Sequence, residues 1–232
     1  MNDAPAQTPR ALSLYCLFGR WLQIVPLAAL LLATGAQAAP LRILALGDSI
    51  TAGLGVSAQA ALPAQLARRL KADGYNVEIV NAGVSGDTTA GGLARLDYAL
   101  ADGKFDLAIV ELGANDMMRG LEPKQARANL AQIVTVLQSK GVKVLLAAMV
   151  SSLNWGQAYK YEFDSIYPEI AEKQGATLVP FILEGVWGDP KMLVGDGVHP
   201  NEAGVAKMVG RLAPVVEKVL DSMGAQKAAH PD

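Results

Sequence analysis

The stretch LRILALGDSIT, residues 41–51, places an apolar run directly before a polar turn. A continuous apolar run of about four to eight residues bounded by turn residues is typical of a buried strand. Residues 41–46 are therefore predicted to form a strand, and Gly47 and Asp48 begin the turn that carries Ser49.

The same alternation of short apolar runs and longer amphipathic runs continues along the chain. Further strands are predicted at 77–81, 107–112, 142–150 and 177–180. Helices are predicted at 60–71, 90–100, 123–140, 159–174 and 201–223. Pro168 is expected to kink or divide the fourth helix, and Pro214 to bend the fifth. Five apolar strands separated by helices predict an α/β fold, a flavodoxin-like three-layer sandwich around a five-stranded parallel sheet.

Residues 1–38 are typical of a secretory signal peptide. Two arginines supply positive charge, the mostly apolar run 21–34 is too short to span a bilayer, and Ala36-Gln37-Ala38 fits a small-x-small cleavage site. An uncleaved N-terminal anchor is the alternative interpretation. Cleavage would leave residues 39–232 as a single domain, with a disordered tail from about residue 224.

The composition argues against several classes of function. The only cysteine, Cys16, lies inside the predicted signal, so the mature chain would have no thiol for a disulfide, a nucleophile or a thiolate metal site. The net charge is −2, and Lys and Arg form no cluster with interleaved aromatic residues, so nucleic acid is not an expected partner. No membrane span is expected after cleavage, and the predicted location is the periplasm or the cell exterior.

Residues with catalytic potential follow three of the predicted strands. Ser49 follows the first strand, Gly86 the second and Asn115 the third. Chemistry in an open parallel sheet takes place beyond the carboxyl ends of its strands. These three residues are therefore expected to lie on the same edge of the sheet.

A serine hydroxyl needs a base to become a nucleophile, and histidine is the usual base. The chain has two histidines, and His230 lies in the predicted disordered tail, which leaves His199 as the candidate partner of Ser49. Asp196, three residues earlier, is close enough to orient the imidazole. The alternatives are an N-cap serine, a surface histidine and a turn aspartate.

Four sequence blocks, taken in order, carry a resemblance to a known family. They are GDSITAG (47–53), NAGVSGDT (81–88), ELGAND (111–116) and DGVHP (196–200). From Ile43 to the last helix the sequence resembles the SGNH (GDSL-type) hydrolases, and within them the bacterial periplasmic thioesterase I/arylesterase/lysophospholipase group. It departs from the family pattern at Ile50, where Leu is usual, and at Ala114, where Gly is frequent, and neither side chain supplies chemistry.

The resemblance implies a catalytic role for residues in each block. Ser49 would be the nucleophile, His199 the general base and then the acid, and Asp196 the group that holds the imidazole. The oxyanion would be bound by the backbone N–H groups of Ser49 and Gly86 and by the side-chain amide of Asn115.

Other residues of these blocks are expected to support the site. Gly83 is interpreted as a turn residue, and Asp48, Asp87 and Asp116 are expected to brace the loops through hydrogen bonds. A metal site that combines these aspartates with His199 is the alternative, but their spacing does not favour it, and no metal or cofactor is predicted.

Substrate contacts are predicted in two segments. Met117, Met118 and Leu121 lie in a loop that, by resemblance, could move over an acyl chain, and adaptable methionine side chains suit variable apolar ligands. Trp155 and Tyr159 follow the fourth strand and could form a second apolar wall. Ordinary core or surface packing is the alternative for all five.

The function that the resemblance implies is that of a serine hydrolase. It would cleave carboxylic esters, and acyl thioesters or lysophospholipids, through an acyl-serine intermediate and without a cofactor. The expected partner is a small-molecule acyl ester or thioester, and the sequence predicts no oligomeric state. The alternatives are a carbohydrate O-deacetylase on the same fold and a non-catalytic periplasmic binding module.

Overall fold

Five runs rich in leucine, isoleucine and valine form the sheet that the sequence predicts. The computed structural model describes residues 39–228, and the predicted signal peptide lies outside the described residues. The strands are β1 (Leu41–Gly47), β2 (Val77–Gly83), β3 (Leu107–Glu111), β4 (Lys143–Ala147) and β5 (Thr177–Val179). They pair in parallel in the order β2-β1-β3-β4-β5, which confirms the predicted fold class.

Amphipathic helices connect the strands and cover the sheet. Within residues 39–228 they are α1 (Ser49–Ala52), α2 (Leu62–Ala72), α3 (Thr89–Ala94), α4 (Leu96–Leu100), α5 (Ala114–Met118), α6 (Pro123–Ser139), α7 (Gln157–Asp164), α8 (Ile166–Gln174) and α9 (Glu202–Ser222). None of these described helices has the length and apolar character needed to cross a membrane.

The core lies between the sheet and these helices. Every residue of β3, at the centre of the sheet, is buried. The helix α2 packs against α9, and α6 packs against α8. The predicted apolar stripes face inward, as shown by the buried side chains of Leu66 and Leu70 on α2 and of Leu130 and Ile133 on α6. Burial of these stripes is the main driving force that fixes the helices on the sheet.

Two predicted element boundaries are wrong, and the predicted division of one helix is confirmed. The segment 90–100 divides at Arg95, which ends α3 and begins α4 while its guanidinium reaches Asp87 and the Gly47 carbonyl. The segment 159–174 divides at Ser165, as expected from Pro168, which lies in the first turn of α8, where backbone N–H groups have no intrahelical acceptor. The fourth strand ends at Ala147, three residues earlier than predicted.

The last helix runs through its proline, and the chain after it stays in contact with the domain. Pro214 lies inside α9, which continues to Ser222 without interruption. Residues 224–228, predicted as disordered, are held instead: Lys227 forms a backbone bridge with Tyr75, and the Ala228 N–H donates to the Gly74 carbonyl at 2.8 Å. The Lys227 ammonium also lies 4.7 Å from the centre of the Tyr75 ring, a cation–π contact.

Two glycines allow the strand ends to approach α1 closely. A Cβ atom on Gly47 would lie 2.0 Å from the Thr51 hydroxyl oxygen and 2.7 Å from a carboxyl oxygen of Glu111. A Cβ atom on Gly83 would lie 2.2 Å from the Ala52 nitrogen. Side chains at these positions would push α1 away from the sheet, so glycine is required by packing.

We expect Gly47→Ala to lower the free energy of unfolding by about 1–3 kcal/mol or more, because the added methyl group has no room. The matched control is Gly210→Ala on the exposed side of α9, where nothing lies within 4 Å of an added Cβ atom. That change should raise stability by up to about 1 kcal/mol through helix propensity. Urea denaturation measures both. Unchanged stability of Gly47→Ala would contradict the close packing.

Candidate active site

The turn after β1 buries a serine at the carboxyl edge of the sheet. Asp48 is the N-cap of α1, and its Oδ1 accepts a hydrogen bond from the Ile50 N–H at 3.0 Å. Ser49 is the first residue of this single-turn helix, and only 8% of its surface is exposed. The cap therefore fixes the backbone that presents the Ser49 hydroxyl.

A loop from the other end of the chain brings a histidine to this serine. The Ser49 Oγ and the His199 Nε2 lie 2.8 Å apart, and the His199 Nδ1 lies 2.6 Å from the Asp196 Oδ2. The second carboxyl oxygen of Asp196 accepts hydrogen bonds from the backbone N–H groups of Val198 and His199, at 2.8 and 3.0 Å. The structure thus joins the three predicted catalytic residues in one hydrogen-bonded series.

The base of the same loop is closed by backbone pairing. Leu193 and Pro200 form an antiparallel bridge, and the Val194 N–H donates to the His199 carbonyl at 2.8 Å. The Asn201 side chain caps α9 and also donates to the Leu193 carbonyl. These contacts anchor the loop to the start of a long helix, which limits the positions open to the imidazole.

The electrostatics of the loop keep its carboxylate ionised. Hydrogen bonds from the backbone N–H and the ring of His199, and from the backbone N–H of Val198, lower the pKa of Asp196 to about 2. An ionised Asp196 accepts a hydrogen bond from the protonated Nδ1 of His199. The Nε2 atom of the neutral ring is then the one that can accept the Ser49 proton.

The glycine predicted as an oxyanion donor lies where a backbone N–H can approach a ligand. Gly86 has a φ of +84°, a conformation that favours glycine, and its carbonyl accepts a hydrogen bond from Arg119 at 2.8 Å. A Cβ atom at Gly86 would meet nothing nearer than Arg119, at 3.7 Å. The amide of Gly86 forms no hydrogen bond within residues 39–228.

The side-chain amide of Asn115, predicted as a donor to the oxyanion, already donates to two acceptors within the protein. Its Nδ2 donates to the Asp48 Oδ2 at 3.1 Å and to the Asp87 carbonyl at 2.8 Å. An amide nitrogen has two protons, so both are already used inside the protein. Asn115 is placed beside the nucleophile turn as expected, but an oxyanion would have to replace or share one of these two acceptors.

The three aspartates that were expected to support the loops each accept hydrogen bonds from other residues of the site. Asp87 pairs with Arg95 at 2.5 Å, and Asp116 accepts from the Thr89 N–H and hydroxyl at 2.8 and 2.6 Å. Asp48 is buried, and this burial is the main cause that raises its pKa to about 6, against the opposing hydrogen bond from Ile50. Among the described residues, no group of three or more His, Cys, Asp or Glu side chains could hold a metal ion.

An apolar cavity of about 180 Å³ opens beside the serine and the histidine. Two of the five predicted contact residues, Met117 and Met118, line it. Its walls also include apolar residues that the sequence analysis did not single out for substrate contact: Ile50, Ala114, Met149, Val150, Phe181, Leu183, Trp187 and Val198. The cavity therefore gives an apolar group room next to the Ser49 hydroxyl.

Three of the predicted substrate contacts do not line the cavity. The Trp155 indole N–H donates to the Met117 carbonyl at 2.8 Å, and the Tyr159 hydroxyl donates to the Leu121 carbonyl at 2.9 Å. A Cβ atom on Gly120 would lie 2.7 Å from the Trp155 ring. These aromatic residues hold the 117–121 loop in place by hydrogen bonds and packing, and Leu121 belongs to the loop that they hold.

Three of the eight wall residues that the sequence analysis missed come from the irregular segment between β5 and the histidine loop. Phe181, Leu183 and Trp187 lie in this segment, which has neither helix nor strand periodicity. The sequence feature that could have indicated these residues is their position, because several apolar residues of the segment come shortly before the block that carries His199.

A serine, a histidine and an aspartate joined by hydrogen bonds at the carboxyl edge of a parallel α/β sheet define a serine hydrolase. Residues 45–207 match the model of the GDSL-like Lipase/Acylhydrolase family. The chain belongs to this family, whose members hydrolyse ester bonds, and the match confirms the resemblance seen in the sequence.

Relatives of the chain agree with this membership. It is 41% identical over 184 residues to Esterase TesA of Pseudomonas aeruginosa, an alignment that covers 79% of this chain and 92% of TesA. It is 38% identical over 177 residues to the Thioesterase 1/protease 1/lysophospholipase L1 of Escherichia coli K12, covering 76% and 84% of the two chains. The crystal structure of AlinE4, an SGNH-hydrolase family esterase, has 45% identity and a TM-score of 0.67, and covers 80% and 99%.

We expect Asn115→Ala to lower kcat for a p-nitrophenyl ester by roughly 10²–10³, because an oxyanion donor acts on the transition state and not on bound substrate. KM should stay within a few-fold of the wild-type value. Steady-state kinetics on folded protein, checked by circular dichroism, measure both. Unchanged kcat in a destabilised variant would mean that the amide only braces Asp48 and Asp87.

Proposed function

We propose that Ser49, His199 and Asp196 hydrolyse carboxylic esters through an acyl-serine intermediate. The observation that carries this proposal is the 2.8 Å contact between the Ser49 Oγ and the His199 Nε2. This contact joins residues 150 positions apart in the sequence, so it is a product of the fold and not of local turn geometry. Membership of an acylhydrolase family supports the same chemistry.

The steps follow from the positions of these groups. The His199 Nε2 takes the Ser49 proton as the serine oxygen attacks the ester carbonyl carbon. The resulting imidazolium is stabilised by the Asp196 carboxylate, and it then protonates the leaving alcohol or thiol as the tetrahedral intermediate collapses. Water, deprotonated by the same nitrogen, attacks the acyl-serine and releases the acid. Each cycle consumes one water molecule and restores the Ser49 hydroxyl.

The negative oxygen of the intermediate needs donors that are already in place. The Ser49 N–H begins α1, where an N–H group has no intrahelical acceptor, and the Gly86 N–H is unpaired within the described residues. Asn115 would be the third donor, by turning one amide proton from Asp48 or Asp87 toward the oxyanion. The N–H groups of Ser49 and Gly86 are therefore preorganised, whereas the Asn115 amide must give up one of its present acceptors to bind the oxyanion.

The cavity points to the chemical class of the acyl group. Its apolar walls suit an alkyl chain, and its volume of about 180 Å³ is below the roughly 300–1,000 Å³ of pockets that enclose drug-sized ligands. We therefore propose short to medium acyl esters and thioesters as substrates. The relative named thioesterase 1 and lysophospholipase L1 supports sulfur esters and lysophospholipids as further substrates.

We also propose that residues 1–38 direct export of the enzyme to the periplasm or beyond. N-terminal sequencing of the exported protein should give Ala39 as the first residue. A mature protein that keeps residues 1–38 would support the uncleaved anchor instead.

Ser49→Ala is expected to lower kcat for p-nitrophenyl butyrate by on the order of 10⁴ or more, because Ser49 is the cavity serine whose hydroxyl contacts the His199 imidazole. Ser222→Ala is the matched control, since that exposed hydroxyl only donates to the Val219 carbonyl at the end of α9. It should keep wild-type kinetics. Turnover by Ser49→Ala at the wild-type rate would rule out the acyl-serine mechanism.

Trp187→Ala should raise KM for p-nitrophenyl hexanoate roughly 5- to 30-fold, because an apolar contact of this kind contributes about 1–2 kcal/mol. KM for the acetate ester should change little. Tyr98, an exposed aromatic residue outside the cavity, provides the control Tyr98→Ala. A wild-type enzyme that accepts acetate esters alone would instead support the O-deacetylase alternative.

A further inference from the structure

A buried acidic side chain lies next to the nucleophile turn, and the proposed mechanism does not use it. Glu111 is the last residue of β3, pairs in register with Gly47 and has no exposed surface. The Thr51 hydroxyl donates to the Glu111 Oε2 at 2.6 Å. Thr51 and Ser49 belong to the same single turn of helix, α1, so this contact ties the nucleophile's helix to the central strand.

The surroundings of Glu111 favour a neutral carboxylic acid over a carboxylate. Its Oε1 is buried and has no hydrogen-bond partner, and Glu111 forms no ion pair within residues 39–228. The titratable groups that act on it through their charge, or on which its charge acts, are the Asp48 carboxyl and the Tyr167 hydroxyl. An unpaired buried anion next to another carboxyl would be costly.

The direction of the pKa agrees with this geometry. Burial, followed by the nearby Asp48, raises the pKa of Glu111 well above its ordinary value, against the lowering effect of hydrogen bonds from the Thr51 hydroxyl and from the backbone N–H groups of Asp48 and Thr51. Neutrality also suits the chemistry, because a second negative charge beside Asp48 would oppose the negative charge that develops on the substrate.

We infer that Glu111 is a positioning residue that, as a neutral acid, holds Thr51 and thereby sets the position of Ser49. A four-residue helix has little stability of its own, so α1 depends on contacts with the sheet. Gly47 makes this contact possible, because a Cβ atom there would overlap both the Thr51 hydroxyl and the Glu111 carboxyl. The inference rests on the proposed role of Ser49 as nucleophile.

The kinetic test compares variants that keep or remove the contact. Thr51→Val removes the hydroxyl at nearly constant shape and should lower kcat for p-nitrophenyl butyrate roughly 10- to 100-fold, with KM within about twofold, because a small misplacement of the nucleophile affects the reaction step. Thr51→Ser keeps the hydroxyl and should retain most of the activity. Rates are normalised to folded protein, so that a loss of stability alone does not lower kcat.

Glu111→Gln tests the protonation state, because glutamine has the shape of the neutral acid and keeps an oxygen that accepts from Thr51. Its kcat should stay within about threefold of wild type. A pKa raised in the folded state favours the protonated form, so the wild type loses stability as pH rises from the ordinary pKa of glutamate toward the raised value. Glu111→Gln lacks this loss, and its Tm should exceed that of the wild type increasingly as pH rises above the ordinary pKa of glutamate.

Two results would overturn the inference. One is wild-type kcat in Thr51→Val, which would show that the contact does not position the nucleophile. The other is a Tm of Glu111→Gln that is lower than wild type by the same amount at every pH, which would show an ionised Glu111. Both are distinguishable from failure of the proposed function, since an inactive Ser49→Ala would leave the nucleophile assignment standing.

Discussion

The hydrogen bond between Ser49 and His199 is the contact on which the proposed function depends. Neither residue is unusual alone, since a serine at a helix start and a histidine before a helix are common features of folded proteins. Their 2.8 Å separation requires that the first strand and the last loop end on the same side of one sheet. The parallel order β2-β1-β3-β4-β5 provides this arrangement, with β1 next to the centre and its carboxyl end open to the loop.

A second layer of polar contacts holds the edge of the sheet together. The Asn115 amide links the carboxyl of Asp48 to the backbone of Asp87, and Arg95 links Asp87 to the Gly47 carbonyl. These bonds join the segments that follow β1, β2 and β3. A buried polar group that loses its partner is costly, so a change in one of these segments would leave a group in another segment unpaired. Three of the four sequence blocks are thus joined in one network, in addition to containing proposed catalytic groups.

The parts of the fold and site that could be predicted from sequence are those with a local pattern. The apolar run 41–46 predicted β1, and the scarcity of histidine pointed to His199, which the structure places against Ser49. The division of the 159–174 segment was predicted from Pro168, which lies in the first turn of α8. The state of the Asn115 amide could not be predicted, since its two acceptors come from distant segments.

The walls of the apolar cavity were also only partly predictable from local sequence patterns. Trp155 and Tyr159 looked like a cavity wall because they are aromatic and follow a strand, yet their polar atoms bond to the backbone of the 117–121 loop. Trp187 was missed because its segment has no periodicity, and only the folded chain brings it into the wall of the same cavity as Met118. Contacts between irregular segments depend on the whole fold, and no local pattern encodes them.

The most direct test of the account is peptide mapping by mass spectrometry after reaction with a fluorophosphonate. This reagent requires a serine activated by a neighbouring base. The account predicts a single adduct on the peptide that contains Ser49, and its loss in His199→Ala. An unlabelled Ser49 in the folded wild-type protein, or undiminished labelling without the imidazole, would contradict it.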